Sequence, residues 1–302
     1  MKFTKMHGAG NDYVYVDCTK NDLNNPSEIA IKVSDRHFGI GSDGLILIKP
    51  SDKADFFMDM YNADGSRGKM CGNGIRCVGK FVYDNKLTDK TTVTIDTLSG
   101  VKTLKLNIGS DGKVESARVN MGAPVLQPSQ VPVDITGLES YKNMSKEQMQ
   151  EEKENVTEPV VSEHIKVNDK EYEVTCVSMG NPHAIVYLDN DIDIKKFEIE
   201  KIGPAFENHK AFPDRINTEF IQVLDKDNLN MRVWERGSGE TLACGTGACA
   251  SLVATVLNGK CNDTATLHLL GGDLKITWDK KDNTVYLEGP AKTVFTGEIE
   301  LD

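Results

Sequence analysis

Residues Cys244-Gly245-Thr246-Gly247-Ala248-Cys249-Ala250-Ser251-Leu252-Val253-Ala254-Thr255-Val256-Leu257 read as a glycine-rich turn running straight into a helix. From Ala248 the helix is apolar on every side, and it stops at Asn258-Gly259, a usual C-terminal signal. A helix without a polar face has to be buried all round. The segments before it are short and β-like: Val174-Thr175-Cys176, Ile185-Val186-Tyr187-Leu188, Phe220-Ile221-Gln222-Val223 and Met231-Arg232-Val233-Trp234. Strands surrounding such a helix predict a curled sheet wrapped around it, rather than a helix lying on a flat sheet.

The first 125 residues follow the same plan. Strand-like runs occur at Tyr13-Val14-Tyr15-Val16, Leu45-Ile46-Leu47-Ile48, Phe56-Phe57-Met58, Thr92-Val93-Thr94-Ile95 and around Val119. A helix is predicted from Gly74 to about Asp84, with Ile75, Val78, Phe81 and Val82 forming one buried stripe. The two halves align as a repeat. Gly10-Asn11 and the strand after it match Gly180-Asn181 and theirs, and Cys71-Gly72-Asn73-Gly74 matches Cys244-Gly245-Thr246-Gly247. Nine residues before each cysteine a polar residue closes a strand, Asn62 in one half and Glu235 in the other. The expected fold is therefore α+β, with two pseudo-symmetric domains, each a curled, mostly antiparallel, barrel-like sheet around a central helix. Residues 1–119 with 290–302 form the half carrying Cys71, and 120–289 the half carrying Cys244. Pseudo-symmetry predicts that equivalent features meet across a cleft.

Composition narrows the function. The formal charge is -11, with no cluster of Lys and Arg, which argues against nucleic acid as a partner and leaves a small polar substrate. The first residues lack an apolar core of signal-peptide length, and no apolar run approaches the roughly 20 residues that span a bilayer. A cytoplasmic enzyme without membrane partners is the expectation. The seven cysteines lack paired C-x-x-C spacing, so neither a metal site nor a disulfide framework is expected. Residues 137–164 carry seven Glu against three Lys and read as a surface insertion. Within it, Ser145-Lys146-Glu147-Gln148 has the form of a capping box that starts a short helix.

The chemistry sits in the duplicated C-G-x-G. Each cysteine stands just before a helix, where unpaired N–H groups and a partial positive charge favour a thiolate and can hold an anion such as an α-carboxylate. Inverting a stereocentre needs a proton taken from one face and another delivered to the opposite face. Two thiols, one charged and one neutral, meet that need. Holding the carboxylate at helix N-termini also stabilises the charge that develops as the α-proton leaves, so no cofactor is required. A lone cysteine is more often a small core hydrophobe, and Cys18, Cys77, Cys176, Cys249 and Cys261, which lack the motif, are assigned to the core.

Several segments closely resemble the diaminopimelate epimerase family: residues 6–12 (MHGAGND), 38–44 (FGIGSDG), 62–66 (NADGS), 71–77 (CGNGIRC), 179–183 (MGNPH), 235–241 (ERGSGET) and 243–248 (ACGTGA). The resemblance runs the length of the chain. It implies interconversion of LL- and meso-2,6-diaminoheptanedioate, for lysine and peptidoglycan synthesis, by a homodimer that uses no cofactor. By that resemblance Cys71 and Cys244 are the two catalytic bases, with His183 and Glu235 beside the reacting centre. Asn11, Asn62, Asn181 and Asn217 bind substrate, and Arg236 grips the distal carboxylate, a task suited to a planar guanidinium. Gly72, Asn73, Gly245 and Thr246 present backbone amides to the α-carboxylate.

This chain departs from the family pattern in three places. Arg67 stands where Glu is common, and either points to solvent or favours the Cys71 thiolate. Gly44 stands where some members carry a substrate-contacting Gln. The acidic stretch at 137–164 is longer than usual. The nearest alternative function is a related cofactor-independent racemase of another amino acid, such as histidine or proline. Arg236 with Asn62 and Asn217 favours a dicarboxylate, because a substrate without a distal carboxylate leaves that cation unpaired. A thiol-redox or metal-binding protein is a further alternative, and no third or fourth ligand at plausible spacing supports it.

Overall fold

A computed structural model describes residues 1–145, 147–148 and 156–301. The chain forms two compact units, Met1–Asn120 with Leu287–Asp302, and Met121–Tyr286.

In the first unit β1 (Lys2–Gly8) runs antiparallel to β2 (Asn11–Asp17). The chain crosses through α1 (Pro26–Ser34) and returns as β3 (Gly44–Lys49), parallel to β2 with Val14 against Leu45. A parallel partner needs such a crossover, because a tight turn joins only antiparallel strands. Pro26 opens α1, where its missing N–H costs nothing, and Ala30 and Val33 pack onto Val14, Leu45 and Leu47. β4 (Phe56–Asn62) is antiparallel to β3, setting Asn62 opposite Gly44, and β5 (Arg67–Gly68) folds back on β4. After α2 (Gly72–Asp84), β6 (Thr92–Asp96) lies parallel to β4, and β7 (Lys102–Ile108) and β8 (Val114–Gly122) continue antiparallel. The C-terminal strand Lys292–Glu298 pairs with the outer side of β1.

The second unit repeats this order. β9 (Glu163–Val167) and β11 (Pro182–Tyr187) flank β10 (Lys170–Ser178), both antiparallel to it. A crossover through α3 (Ile199–Glu207) brings β12 (Asn217–Val223) parallel to β11, and β13 (Asn228–Glu235) and β14 (Gly239–Thr241) follow antiparallel. Then come α4 (Gly245–Leu257), β15 (Thr264–Leu269) parallel to β13, β16 (Gly272–Asp279) antiparallel to β15, and β17 (Thr284–Pro290). Parallel and antiparallel pairings recur at the same places in both units, so the sequence repeat is a repeat of topology.

Each long helix is enclosed by its own unit's sheet. α2 packs on β1, β2 and β7, and α4 on β10, β11, β12, β15 and β16. Strands from both ends of a sheet reach one helix only if the sheet curls around it. α4 is buried from Gly247 to Thr255, and Asn258 caps it with bonds from its backbone N–H to Ala254 and Val256. α2 is enclosed more fully than a one-sided stripe predicts, because Arg76 and Lys80 are buried too. They find polar partners: Arg76 donates to the carbonyls of Gly72 (2.9 Å) and Pro290 (3.2 Å), and Lys80 bonds Val114 O and Asp84.

The acidic stretch is not wholly a surface insertion. Leu138 and Val160 are buried in the second unit's core with Phe206, Phe212 and Phe220. The capping box is present, since Gln148 N–H donates to Ser145 Oγ (3.2 Å) and Ser145 N–H to Gln148 Oε1 (2.9 Å). The continuation of the helix expected there falls outside the described residues. No helix among the described residues is long and apolar enough to cross a membrane.

Candidate active site

Cys71 and Cys244 hold equivalent positions. Each is the N-cap of its unit's enclosed helix in extended backbone, with φ/ψ of -130°/119° and -114°/111°. The first turn of α2 is crowded from outside. A Cβ on Gly8 would lie 2.7 Å from the Asn73 carbonyl oxygen, and one on Gly74 would lie 2.9 Å from Ile46 Cδ1. Glycine at these places lets the end of β1 and the floor of β3 reach the helix start.

Around Cys71 the bonds are local. Its Sγ accepts from Gly74 N–H (3.3 Å), and its S–H donates to Asn11 Oδ1 (3.1 Å). Asn11 is held in turn, its Nδ2 donating to Asp43 Oδ2 (2.8 Å), which also accepts from Asp12 N–H. Arg36 binds both carboxylates, and Lys5 binds Asp12. Burial pushes the Cys71 thiol up, opposed by the amides of Gly74 and Asn73, the charge of Arg76 and the Tyr13 hydroxyl. Asn62 donates to Ser66 Oγ (2.9 Å). Arg67 is exposed, as the solvent-facing reading expects, and its Nε binds Asp59 (2.7 Å) on β4 rather than Cys71. Gly44 leaves no room for a longer residue on this backbone, since its Cβ would stand 2.1 Å from the Tyr61 carbonyl oxygen.

Cys244 has a different setting. It accepts no side-chain capping bond, and its Sγ lies 3.5 Å from Thr246 Oγ1. Burial lifts its thiol well above the ordinary value, and the carboxyls of Glu235 and Glu219 lift it further. The Thr246 hydroxyl and the Gly247 amide oppose them in part. Glu235 accepts from Thr241 Oγ1, and the Arg236 backbone N–H donates to Asn217 Oδ1 (2.9 Å). The Arg236 guanidinium donates to the Asp214 carbonyl (3.0 Å) and is half-buried. His183 is wholly buried, with Nδ1 2.7 Å from Glu219 Oε1 and Nε2 3.1 Å from Asn181 Oδ1.

The structure thus joins Asn11 to Cys71, Asn181 to His183, and Asn217 to Arg236. Sequence reasoning missed Asp43, which holds Asn11, although it lies in the quoted run 38–44. It also missed Glu219, a carboxylate beside the apolar run 220–223 whose presence there was a signal.

A sequence profile described as diaminopimelate epimerase matches residues 3–127 and 175–294. The chain belongs to the diaminopimelate epimerase family. It is 55% identical to the diaminopimelate epimerase of Acetivibrio thermocellus, over 100% of this chain and 99% of that protein. It is also 55% identical to that of Methanococcus maripaludis strain S2, over 100% of both chains. The fold is shared more widely. A phenazine biosynthesis protein of the PhzF family from Bacillus anthracis superposes with a TM-score of 0.69 at 18% identity, over 100% of this chain and 99% of that one. A probable proline racemase from Agrobacterium radiobacter K84 gives 0.62 at 14% identity, over 100% and 93%.

Proposed function

We propose that this member of the diaminopimelate epimerase family interconverts LL- and meso-2,6-diaminoheptanedioate by a two-base exchange at the α-carbon through Cys71 and Cys244. The observation that carries the reading is the pair of cysteine N-caps at matching ends of repeated units, each heading a buried helix. One sulfur, as thiolate, takes the α-proton, and the other, as thiol, delivers a proton to the opposite face. The backbone amides of Gly72, Asn73, Gly245 and Thr246 hold the α-carboxylate, where the helix charge also stabilises the developing carbanion. Asn11, Asn62, Asn181 and Asn217 orient the substrate, Arg236 takes the distal carboxylate, and Glu235 and His183 tune Cys244. We assign the working form as a cytoplasmic homodimer, in keeping with the family resemblance and seven free cysteines; light scattering on the purified protein reads the assembly.

Incubation of the protein with LL-diaminopimelate in deuterium oxide tests the reading. Meso product should form together with α-deuterium, and absence of both overturns the assignment. Cys71→Ala and Cys244→Ala should each lower turnover by about 10²-fold or more while remaining folded. Near-normal turnover by either variant means that two thiols are not required.

A further inference from the structure

Glu219 has no assigned part in the reaction, yet it is among the most constrained side chains of the second unit. It stands on β12 between Thr218 and Phe220, wholly buried, with one oxygen 2.7 Å from His183 Nδ1. Its other oxygen, Oε2, has no hydrogen-bond partner among the described residues. The carboxyl also presses on the helix that Cys244 heads, because a Cβ on Gly247 would lie 2.3 Å from Oε1. From β11 it faces His183, from β13 Glu235, and from the start of α4 Cys244 itself. A buried carboxylate is costly even when it is paired, so a purely structural role would favour an apolar residue here.

We propose that Glu219 is a positioning residue that fixes His183 and Asn181 for substrate and keeps Cys244 as the resting proton donor; this rests on the two-thiol reading above. The bonds form a relay. Asn181 Oδ1 is an acceptor, so the facing Nε2 of His183 carries a proton. The contact between Nδ1 and Oε1 then holds one more proton, shared by the ring and the carboxyl. The pair is neutral whether that proton sits on nitrogen, as imidazolium with carboxylate, or on oxygen. Asn181, with its oxygen occupied, turns its Nδ2 donor elsewhere, toward a substrate carboxylate. When the proton sits on nitrogen, the carboxylate of the pair is the end that lies against the first turn of α4 at Gly247, and together with Glu235 it disfavours an anion at Cys244. In the first unit the position matching Glu219 is Ile46, so this device belongs to one cysteine only.

Two measurements test the proposal. The first uses Glu219→Gln, which keeps the shape and removes the charge, in both the active background and a Cys71→Ala background. In the active background kcat should fall about tenfold or more with KM changed less than about threefold, and the basic limb of the pH profile should move to lower pH. In the Cys71→Ala background the rate of Cys244 alkylation by iodoacetamide, followed by mass of the tryptic peptide, should titrate at lower pH than with Glu219 present. This second readout needs no turnover, so it separates failure of the positioning role from failure of the diaminopimelate reading. A folded variant whose Cys244 titration is unchanged overturns the proposal. The second measurement uses the unaltered protein labelled with nitrogen-15 histidine. His183 should carry its proton on Nε2, seen as a one-bond nitrogen–proton coupling at that atom, whereas an Nε2 without a proton overturns the proposal even if the variant fails to fold.

Discussion

Cys71 and Cys244 have the same backbone setting, but the residues at matching places around them differ in charge. Where the first unit has Asn62, Ile46 and Arg76, the second has Glu235, Glu219 and Cys249. A buried guanidinium one turn beyond Cys71 and two amides at its sulfur favour an anion there. Two carboxyls beside Cys244 oppose one. Both thiols are pushed upward by burial, Cys244 further than Cys71. The sign of the pH dependence follows. The competent free enzyme has one thiolate and one thiol, so kcat/KM should climb as pH rises through neutrality and past the ordinary thiol value of 9.0, because burial holds Cys71 above that value. It should fall only at higher pH, when Cys244 follows. These limbs belong to the pair as a coupled system. A kcat/KM profile that is flat or declining between neutrality and 9.0 contradicts the assignment.

At the scale of the element, the site depends on how strand ends meet helix starts. The last residue of β1, Gly8, approaches the first turn of α2 so closely that a methyl group there would meet the Asn73 carbonyl at 2.7 Å and Arg76 Nη2 at 2.9 Å. The carbonyl is backbone and cannot swing aside. Gly8→Ala should therefore displace the N-terminal turn of α2, destabilise the fold by about 1–3 kcal/mol and lower kcat more than KM. Thermal unfolding with steady-state kinetics checks both, and an unchanged kcat would show that the turn is not strictly placed. The long helices were legible in sequence because their faces and caps are unambiguous: α4 is apolar all round and stops at Asn258-Gly259. The short helices α1 and α3 were not, since nine residues give too little periodicity and Pro204 interrupts the second. Their need becomes evident only from the parallel pairs β2–β3 and β11–β12, and apolar runs do not tell parallel from antiparallel strands. Glu219 escaped for a related reason. β12 is buried through Asn217–Gln222, so its polar residues do not mark a solvent face as alternation would suggest. The duplicated C-G-x-G, by contrast, is local, and it singled out both cysteines without any knowledge of packing.

At the scale of the whole molecule, the chain begins in the first unit, completes the second, and returns to the first at Leu287. The two ends are joined by backbone: the Met1 amino group donates to the Ile299 carbonyl, and Ile299 N–H donates to Met1 O (2.9 Å). Between them β1 and the strand Lys292–Glu298 pair over most of their length, with a bulge at Lys5-Met6. Continuity of the chain is therefore needed at neither end, whereas the strand itself is needed to cover one side of β1. These two statements separate experimentally. A circular permutant that links residue 302 to residue 1 by a short glycine-serine linker and opens the exposed turn at Asp111-Gly112 cuts only the β7–β8 connection. It should fold with a melting temperature within about 10 °C of the parent and keep kcat/KM within about tenfold. Deletion of residues 292–302 leaves the backbone groups of β1 unpaired along an exposed edge, and should produce aggregation or loss of cooperative unfolding. Circular dichroism melts of both proteins decide the matter. A stable deletion variant would mean that the returning strand is dispensable, and an unfolded permutant would mean that the β7–β8 turn, rather than the paired ends, nucleates the first unit.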